Sequence, residues 1–464
     1  MEVPVPLPFK GIFSEAKSAE VNGLFAERLD DFETDGLSLT ARPSAVVDDT
    51  SSEALQRFGF EFGDPTYIEV FPDRYEANGQ TRSRFSIAEA MCAMISSNAV
   101  FVDGQNAPAR WDGTTWSNPE FTVVTGIDPA EFDNIIAHHD RLYAWRSGDL
   151  DFYYGGVGSV TGAMTLFPLS RLGNITGKIS MMVSLTIDAG HGPNDLLAII
   201  TTTGMVVVYE GLDPGDDLDW RLFGRIQMAP PVNRWCHAPY GTDHLVLTEA
   251  GLVSLIGSIR QSRQAFISAM AEPVRKELLE VIKANRDRQG WDLTVQPDGQ
   301  RIILNTPLSA TTFGQFVYRV ESEAWTRWRV QARWWHSLIS ELNFTAADGK
   351  LGSLNDAGDE VITSIWHSSW FSFKRYSQFM SMIPTIRAKD AISITLRVLT
   401  NRDSTPTDLA EALQQFAVQP EIADTGRVTF DEFIQVDEAG ASYQIRMEIT
   451  GKRVELISIL GMLE

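Results

Sequence analysis

The sequence predicts a mainly β protein: a β-propeller of about six or more blades, with an inserted helical hairpin and a C-terminal antiparallel β region. Three observations predict it. Two apolar runs split by a short Gly-containing break recur along the chain. Only one segment has strong helical periodicity. Beyond Ser372 the pattern changes to alternation of apolar and polar residues.

The repeated unit is clearest at Leu196–Gly211, LLAIITTTGMVVVYEG. Its runs are β-branched or aromatic, and the break at Thr201-Thr202-Thr203-Gly204 is tight, so it reads as a buried β-hairpin. Leu142–Gly155 turns at Ser147-Gly148-Asp149, Leu245–Gly257 at Glu249-Ala250-Gly251, and Phe344–Asn355 at Asp348-Gly349. Looser copies are Ala99–Gly113 and Arg301–Trp328. The starts at 99, 142, 197, 245, 302 and 344 fall about 40–60 residues apart, a spacing found in propeller blades. A lone hairpin cannot bury both its faces, whereas a ring of them can, and it shields strand edges too.

Residues 1–60 read as an N-terminal arm, in which Pro4, Pro6 and Pro8 alternate with apolar residues. Glu15–Leu29 suits a short helix capped by Ser14, and Glu53–Phe60 fits either helix or strand. The propeller is expected over 61–374. Trp111-Asp112-Gly113-Thr114-Thr115-Trp116 has the chemistry of a hairpin tip. Ile267, Met270, Val274, Leu278 and Ile282 give one apolar helical face within the insert near 262–288. Pro273 divides it into helices over 263–271 and 273–287, closed by Gly290. Residues 375–464 read as a small sandwich, or as strands closing the ring, with one strand pair joined at Thr450-Gly451-Lys452.

With 44% apolar residues, 25 Phe and 12 Trp, the chain can build a large core. A net charge of −22 argues against a basic nucleic-acid-binding surface and against docking on anionic membranes. Cys92 and Cys236 are too few for a disulfide scaffold and read as reduced, buried thiols made in a cytoplasm. The start MEVPVPLPFKG does not read as a signal peptide, and no apolar run is long enough to anchor the chain in a membrane.

None of the histidines (His138, His139, His191, His237, His244, His336, His367) falls at a metal-ligand spacing. There is no nucleophile elbow. Gly155-Gly156-Val157-Gly158 follows a strand, but no helical pattern opens after it, so it reads as a turn. Asp213, Asp216, Asp217 and Asp219 cluster as calcium ligands do, yet miss the EF-hand spacing, which favours a solvated loop. No pair among the 61 acids stands out as a glycosidase dyad. Neither catalytic residues, cofactor nor metal is therefore expected.

A set of motifs stands in fixed order along the chain. It begins with Val21-Asn22-Gly23, Glu33, Gly36-Leu37 and Arg42-Pro43, where Ser44 replaces an expected Gly. Asn106–Trp116 and Asp140-Arg141-Leu142-Tyr143 follow, then Thr203-Gly204 through Asp213-Pro214, then Leu245–Leu255. The last group is Gly290-Trp291, Pro297, Gly299, Asn305-Thr306-Pro307, Gln315-Phe316-Val317 and Ala324-Trp325.

Together these motifs resemble the propeller-bearing tail nozzle, or head-to-tail stabilising, proteins of short-tailed bacteriophages, and the resemblance implies a non-enzymatic virion structural protein, made in the host bacterial cytoplasm and resident in the tail. Its copies would form a homo-oligomeric ring, sixfold by analogy, continuing the portal–adaptor channel. The ring would contact the adaptor and the tail fibre or needle proteins. It would retain packaged DNA and conduct it during ejection without sequence-specific binding. Asp213, Asp216, Asp217 and Asp219 are then candidates for an acidic channel lining that DNA slides past. The alternative is a receptor- or carbohydrate-binding propeller protein of the tail.

Overall fold

The computed structural model describes residues 2–14, 24–48, 53–62, 65–123, 126–188, 193–261, 269–296, 301–338, 341–355, 358–372, 377–400, 414–418, 428–430, 434–440 and 442–463. Among them the chain is mainly β and forms seven propeller blades followed by a β-sandwich.

Blades 1 to 4 are each built from one stretch, opening with Gln56–Glu61, Met91–Ile95, Asn134–His138 and Ile179–Asp188. Each is antiparallel, and blade 3 gains a short parallel edge strand, Thr122–Val123. Blade 5 has three strands, from His237–Tyr240 to Gly251–Ser254. The helix Leu255–Gln261 follows where a fourth strand would lie. Blade 6 opens with Asp292–Gln296 and ends with Ala324–Trp328. Blade 7 takes Ala332–Leu338, Glu341–Ala346 and Leu351–Asn355, and Ser44–Val47 from the N-terminus completes it. The first strand of blade 7 packs on the first strand of blade 1, which closes the ring.

Apolar residues fill the seams. Ile68, Val70 and Tyr75 meet Phe101 and Trp111 between blades 1 and 2, and Trp145 and Phe152 meet Ile199 and Tyr209 between blades 3 and 4. Gly204, Gly251 and Gly349 all have positive φ, as the hairpin tips require. At Gly204 (φ 81°) an added Cβ would lie 2.2 Å from the Met228 carbonyl oxygen.

The N-terminal segment departs from a free arm. Val5, Leu7 and Ile12 are buried, and Glu2–Pro4 pairs with Glu455–Leu463. Residues 15–23 of the expected first helix lie outside the described residues, and its end, Ala26–Asp30, is a strand. That strand joins blade 6 to the sandwich, because Asp30 pairs in parallel with Arg327 while Ala26–Asp30 runs antiparallel to Ile362–Ser368. The Pro–apolar alternation marked a strand on a sheet edge, and the edge belongs to this same chain. Of Glu53–Phe60, which fitted either helix or strand, Gln56 onward is strand (Gln56–Glu61), so blade 1 begins before residue 61.

The helical insert is also rearranged. Residues 262–268 of the expected first helix lie outside the described residues, Pro273 sits in the 3₁₀ turn Ala269–Val274, and the helix proper is Arg275–Asn285. Leu278 and Ile282 of that helix are buried in the core shared with the sandwich. The strands on either side of Thr450-Gly451-Lys452 do not pair with each other. Tyr443–Gly451 bonds to Ile392–Thr400, and Glu455–Leu463 bonds to Ser377–Ala388 in the facing sheet. Both strands are half-buried with alternating pattern, so placing them in opposite sheets lets Ile445, Ile449, Leu456 and Ile459 share one core.

Candidate functional site

Two side-chain constellations stand out, one at the joint of propeller and sandwich and one at the propeller axis. The joint is built on Asp30-Asp31-Phe32-Glu33, where Phe32 and all three carboxylates are buried. Asp30 accepts from Arg28 Nε at 2.7 Å and lies 2.8 Å from Arg327. Asp31 accepts from Arg42 Nε at 2.8 Å and from Arg329 Nε at 2.6 Å. Glu33 takes Arg301 through both oxygens at 2.7 and 2.8 Å, and Arg319 at 2.8 Å. Arg42 reaches on to Glu360 through two bonds of 2.9 and 3.0 Å, and Arg327 pairs with Glu277 on the helix. Buried charges persist only when partnered in this way, and the planar guanidinium fork suits carboxylates. Three acids within four residues, where the strand Ala26–Asp30 gives way to Phe32–Thr34, thus tie together blade 6, the closing strand of blade 7, the helix and the sandwich.

At the axis, Asn233-Arg234-Trp235 leads into the first strand of blade 5 and reaches blades that are not its neighbours. Arg234 donates to the carbonyl oxygens of Asp133 at 3.1 Å and Glu89 at 3.3 Å, at the starts of blades 3 and 2. The Trp235 ring meets Trp334 of blade 7 edge to face at 4.8 Å. These contacts cross the ring, so the tripeptide plugs the mouth where the innermost strands begin. Nearby, burial raises the Asp292 carboxyl to about 7, against hydrogen bonds from the Trp335 N–H and the Thr294 hydroxyl.

The remaining sequence candidates are structural or peripheral. Asp213, Asp216, Asp217 and Asp219 lie between the third and outermost strands of blade 4, away from the propeller's own channel. Asp213 pairs with Arg141 at 2.9 Å, and Asp219 accepts the Leu212 and Asp213 N–H groups, the first being the main cause of its lowered pKa. Asp112 accepts the Thr115 and Thr114 N–H groups at 2.8 and 2.9 Å, which hold its carboxyl near about 2. His237 and His244 share a hydrogen bond of 2.8 Å, and burial lowers both pKa values. Among the described residues no group of three or more His, Cys, Asp or Glu is placed to hold a metal ion. Cys236 is buried and Cys92 half-buried, both are free thiols, and burial raises both pKa values. No helix among the described residues is long and apolar enough to cross a membrane. His191 lies outside the described residues, as do Val21-Asn22-Gly23, Pro297 and Gly299.

Sequence reasoning missed the plug and most of the joint. The signals were present: charged Asp30-Asp31 and Glu33 around a buried Phe32, and arginines at 301, 319, 327 and 329 flanking apolar strands.

No family model matches the chain, and no curated protein matches it. Solved structures do. The propeller domain of Cps50 (Swd1) from Myceliophteria thermophila is 8% identical, with a TM-score of 0.45, covering 67% of this chain and 99% of that one. BamB from Moraxella catarrhalis is 9% identical, with a TM-score of 0.39, covering 68% and 99%. An exo-β-1,3-galactanase from Phanerochaete chrysosporium is 8% identical, with a TM-score of 0.26, covering 82% and 97%. Likenesses this distant carry no functional argument, and the description as a propeller rests on the chain's own sheets.

Proposed function

We propose that the chain is a structural subunit of a short-tailed phage tail, a nozzle or head-to-tail stabilising protein whose copies ring a DNA channel. The observation that carries this reading is the joint. Glu33 and Arg42, both in the N-terminal signature that resembles the family, are buried members of its ion-pair network. A subunit under the pressure of a packaged genome needs its parts held as one body, and the joint ties four of them. The plug supports the same reading, because the propeller axis is occupied by the chain's own side chains. The DNA path would then lie between copies rather than through each propeller. A net charge of −22 per copy suits a wall that does not retain DNA.

Cryo-electron microscopy of the purified chain, with gold-labelled antibody on particles from a producing culture, tests this. Hollow rings and label at the tail support it. Monomers at every concentration together with unlabelled tails refute it.

A further inference from the structure

We propose that the outermost strand of blade 4 in one copy lies alongside the outermost strand of blade 7 in the next, and that repetition of this contact builds the ring. The inference rests on the ring reading above and adds the two surfaces and their chemistry.

Arg221–Gln227 closes blade 4 and Ser44–Val47 closes blade 7. Among the described residues neither has a partner strand on its outer side. Neither strand contains the Pro or Lys that commonly blunts an exposed edge. Both instead present large apolar side chains to solvent. Leu222 and Phe223 are 41% and 47% exposed, and Val46 and Val47 are 47% and 38% exposed. A bulge opposite Val208 and Tyr209 leaves Phe223 outside the register and turns it outward beside Leu222.

The charges are complementary as well. Towards the end of the blade 4 strand, Arg225 donates to the Gly173 and Leu172 carbonyl oxygens, beside exposed Arg171 and Lys178. None of these three cations forms an ion pair among the described residues, which leaves a basic patch on a chain of net charge −22. The acids of the 213–219 loop precede Arg221, at the strand's other end. At the end of the blade 7 strand, the Asp48 N–H donates to the Leu351 carbonyl oxygen and the Ala54 N–H to that of Gly349, both at 2.8 Å. Those bonds gather the exposed acids Asp48, Glu53 and Asp348 around one hairpin tip, with Lys350 4.0 Å from Asp348.

Strand direction brings the two patches together. Both blades are antiparallel throughout, so their fourth strands run in the same sense along the propeller axis. Copies related by rotation about an axis parallel to that one set the two strands parallel. Phe223 then packs on Val46 and Val47, and Arg225 faces Asp48. The two edges stand three blades apart in a ring of seven, on nearly opposite sides of the propeller. They are different surfaces, so the contact is heterologous and closes a ring if the rotation allows.

The test measures assembly of the full-length protein by mass photometry and sedimentation across salt concentrations. Arg225→Glu and Asp48→Lys are each expected to weaken association about tenfold or more, and the double variant to recover most of it. Phe223→Cys combined with Val46→Cys can bridge only between copies, because the two positions are three blades apart in one chain. It is expected to give an inter-subunit disulfide on oxidation that neither single variant gives. All variants should melt as the parent does. Rings that form undiminished in both charge variants and do not cross-link would overturn this contact and leave the ring reading standing. Absence of rings and of cross-links in every form would overturn both.

Discussion

Blades 1 to 4 and the half of the molecule around blades 6 and 7 are held together by different means. In the first half every blade is local in sequence, and the seams are chiefly apolar, with the fully buried ion pair Arg84–Asp103 inside the seam of blades 1 and 2. In the second, strands from residues 26–47 are inserted among strands from 301–368, and arginine–carboxylate pairs are added to the apolar contacts of Leu29 and Phe32. Chain connectivity sets the register of a local hairpin. A segment arriving from far away has no such guide, and apolar contact alone would tolerate a slip. Directional, bidentate pairs reject the wrong register. The ionic joint is therefore best understood as a specificity device, used where the chain must recognise itself across some 270 positions, as between Glu33 and Arg301.

The largest expected effect tests that contrast. Glu33→Gln leaves Arg301 buried beside a neutral partner, and losing one member of a buried pair costs about 3–5 kcal/mol. The denaturation midpoint should fall accordingly. Hydrogen exchange should quicken in Ala26–Asp30, Ser44–Val47 and Ile362–Ser368 before it does in blades 2 and 3. Uniform loosening would show that the joint is not a distinct unit.

Next is a change confined to the local half. Gly204→Val places a Cβ against the Met228 and Ala229 carbonyl oxygens at 2.2 and 2.6 Å, in a left-handed conformation. The expected cost is about 1–3 kcal/mol. Exchange should quicken in blade 4 and leave the joint unmoved. An unchanged urea midpoint would contradict the hairpin geometry.

Burying charge also has a pH signature in the second half. Burial holds the Asp292 carboxyl near about 7, above its ordinary value. Its folded form therefore favours the proton. The stability it contributes is complete below the unfolded pKa and is lost as the pH rises through about 7. Asp292→Asn keeps an acceptor for the Trp335 N–H and removes that loss. Relative to the parent it should gain roughly 1–2 kcal/mol at pH 8, and much less at pH 5. Equal effects at the two pH values would show that the group titrates normally.

The contrast also decides what could be read from the sequence. The hairpins at 142–155, 196–211 and 344–355 were legible because each is complete within one window, as two runs rich in apolar residues split by a Gly-containing turn. Blade 1 was not legible as a blade, since Gln56–Glu61 has no clear alternation and its second strand carries charge. Ser44–Val47 and Ala26–Asp30 resembled an arm because their pairing partners lie hundreds of residues away. The strands around Gly451 were found correctly, but a short turn does not say whether they pair or face each other. The plug has no periodicity at all, being three residues ahead of a strand, and only the closed ring gives it contacts.

The smallest expected effect is the sharpest check on locality. Asp112 sits at the tip between the last two strands of blade 2, Ala109–Trp111 and Trp116–Ser117. Its carboxylate accepts from the backbone N–H and the hydroxyl of both Thr114 and Thr115. Those bonds fold the turn on its own side chain, a device that needs nothing from elsewhere in the chain. The folded pKa, near about 2, is depressed, so the stabilisation is present above the unfolded carboxylate value and lost as the pH falls through about 2. Because the group is exposed, solvent screens most of the ionic share, and Asp112→Ala should cost only about 0.5–1 kcal/mol near neutral pH. At pH 2 and below, variant and parent should converge. Exchange should quicken at Trp111–Trp116 alone. If Asp112→Ala instead loosens the joint as Glu33→Gln does, the blades and the joint form one cooperative unit, and the division into a local and a long-range half is wrong.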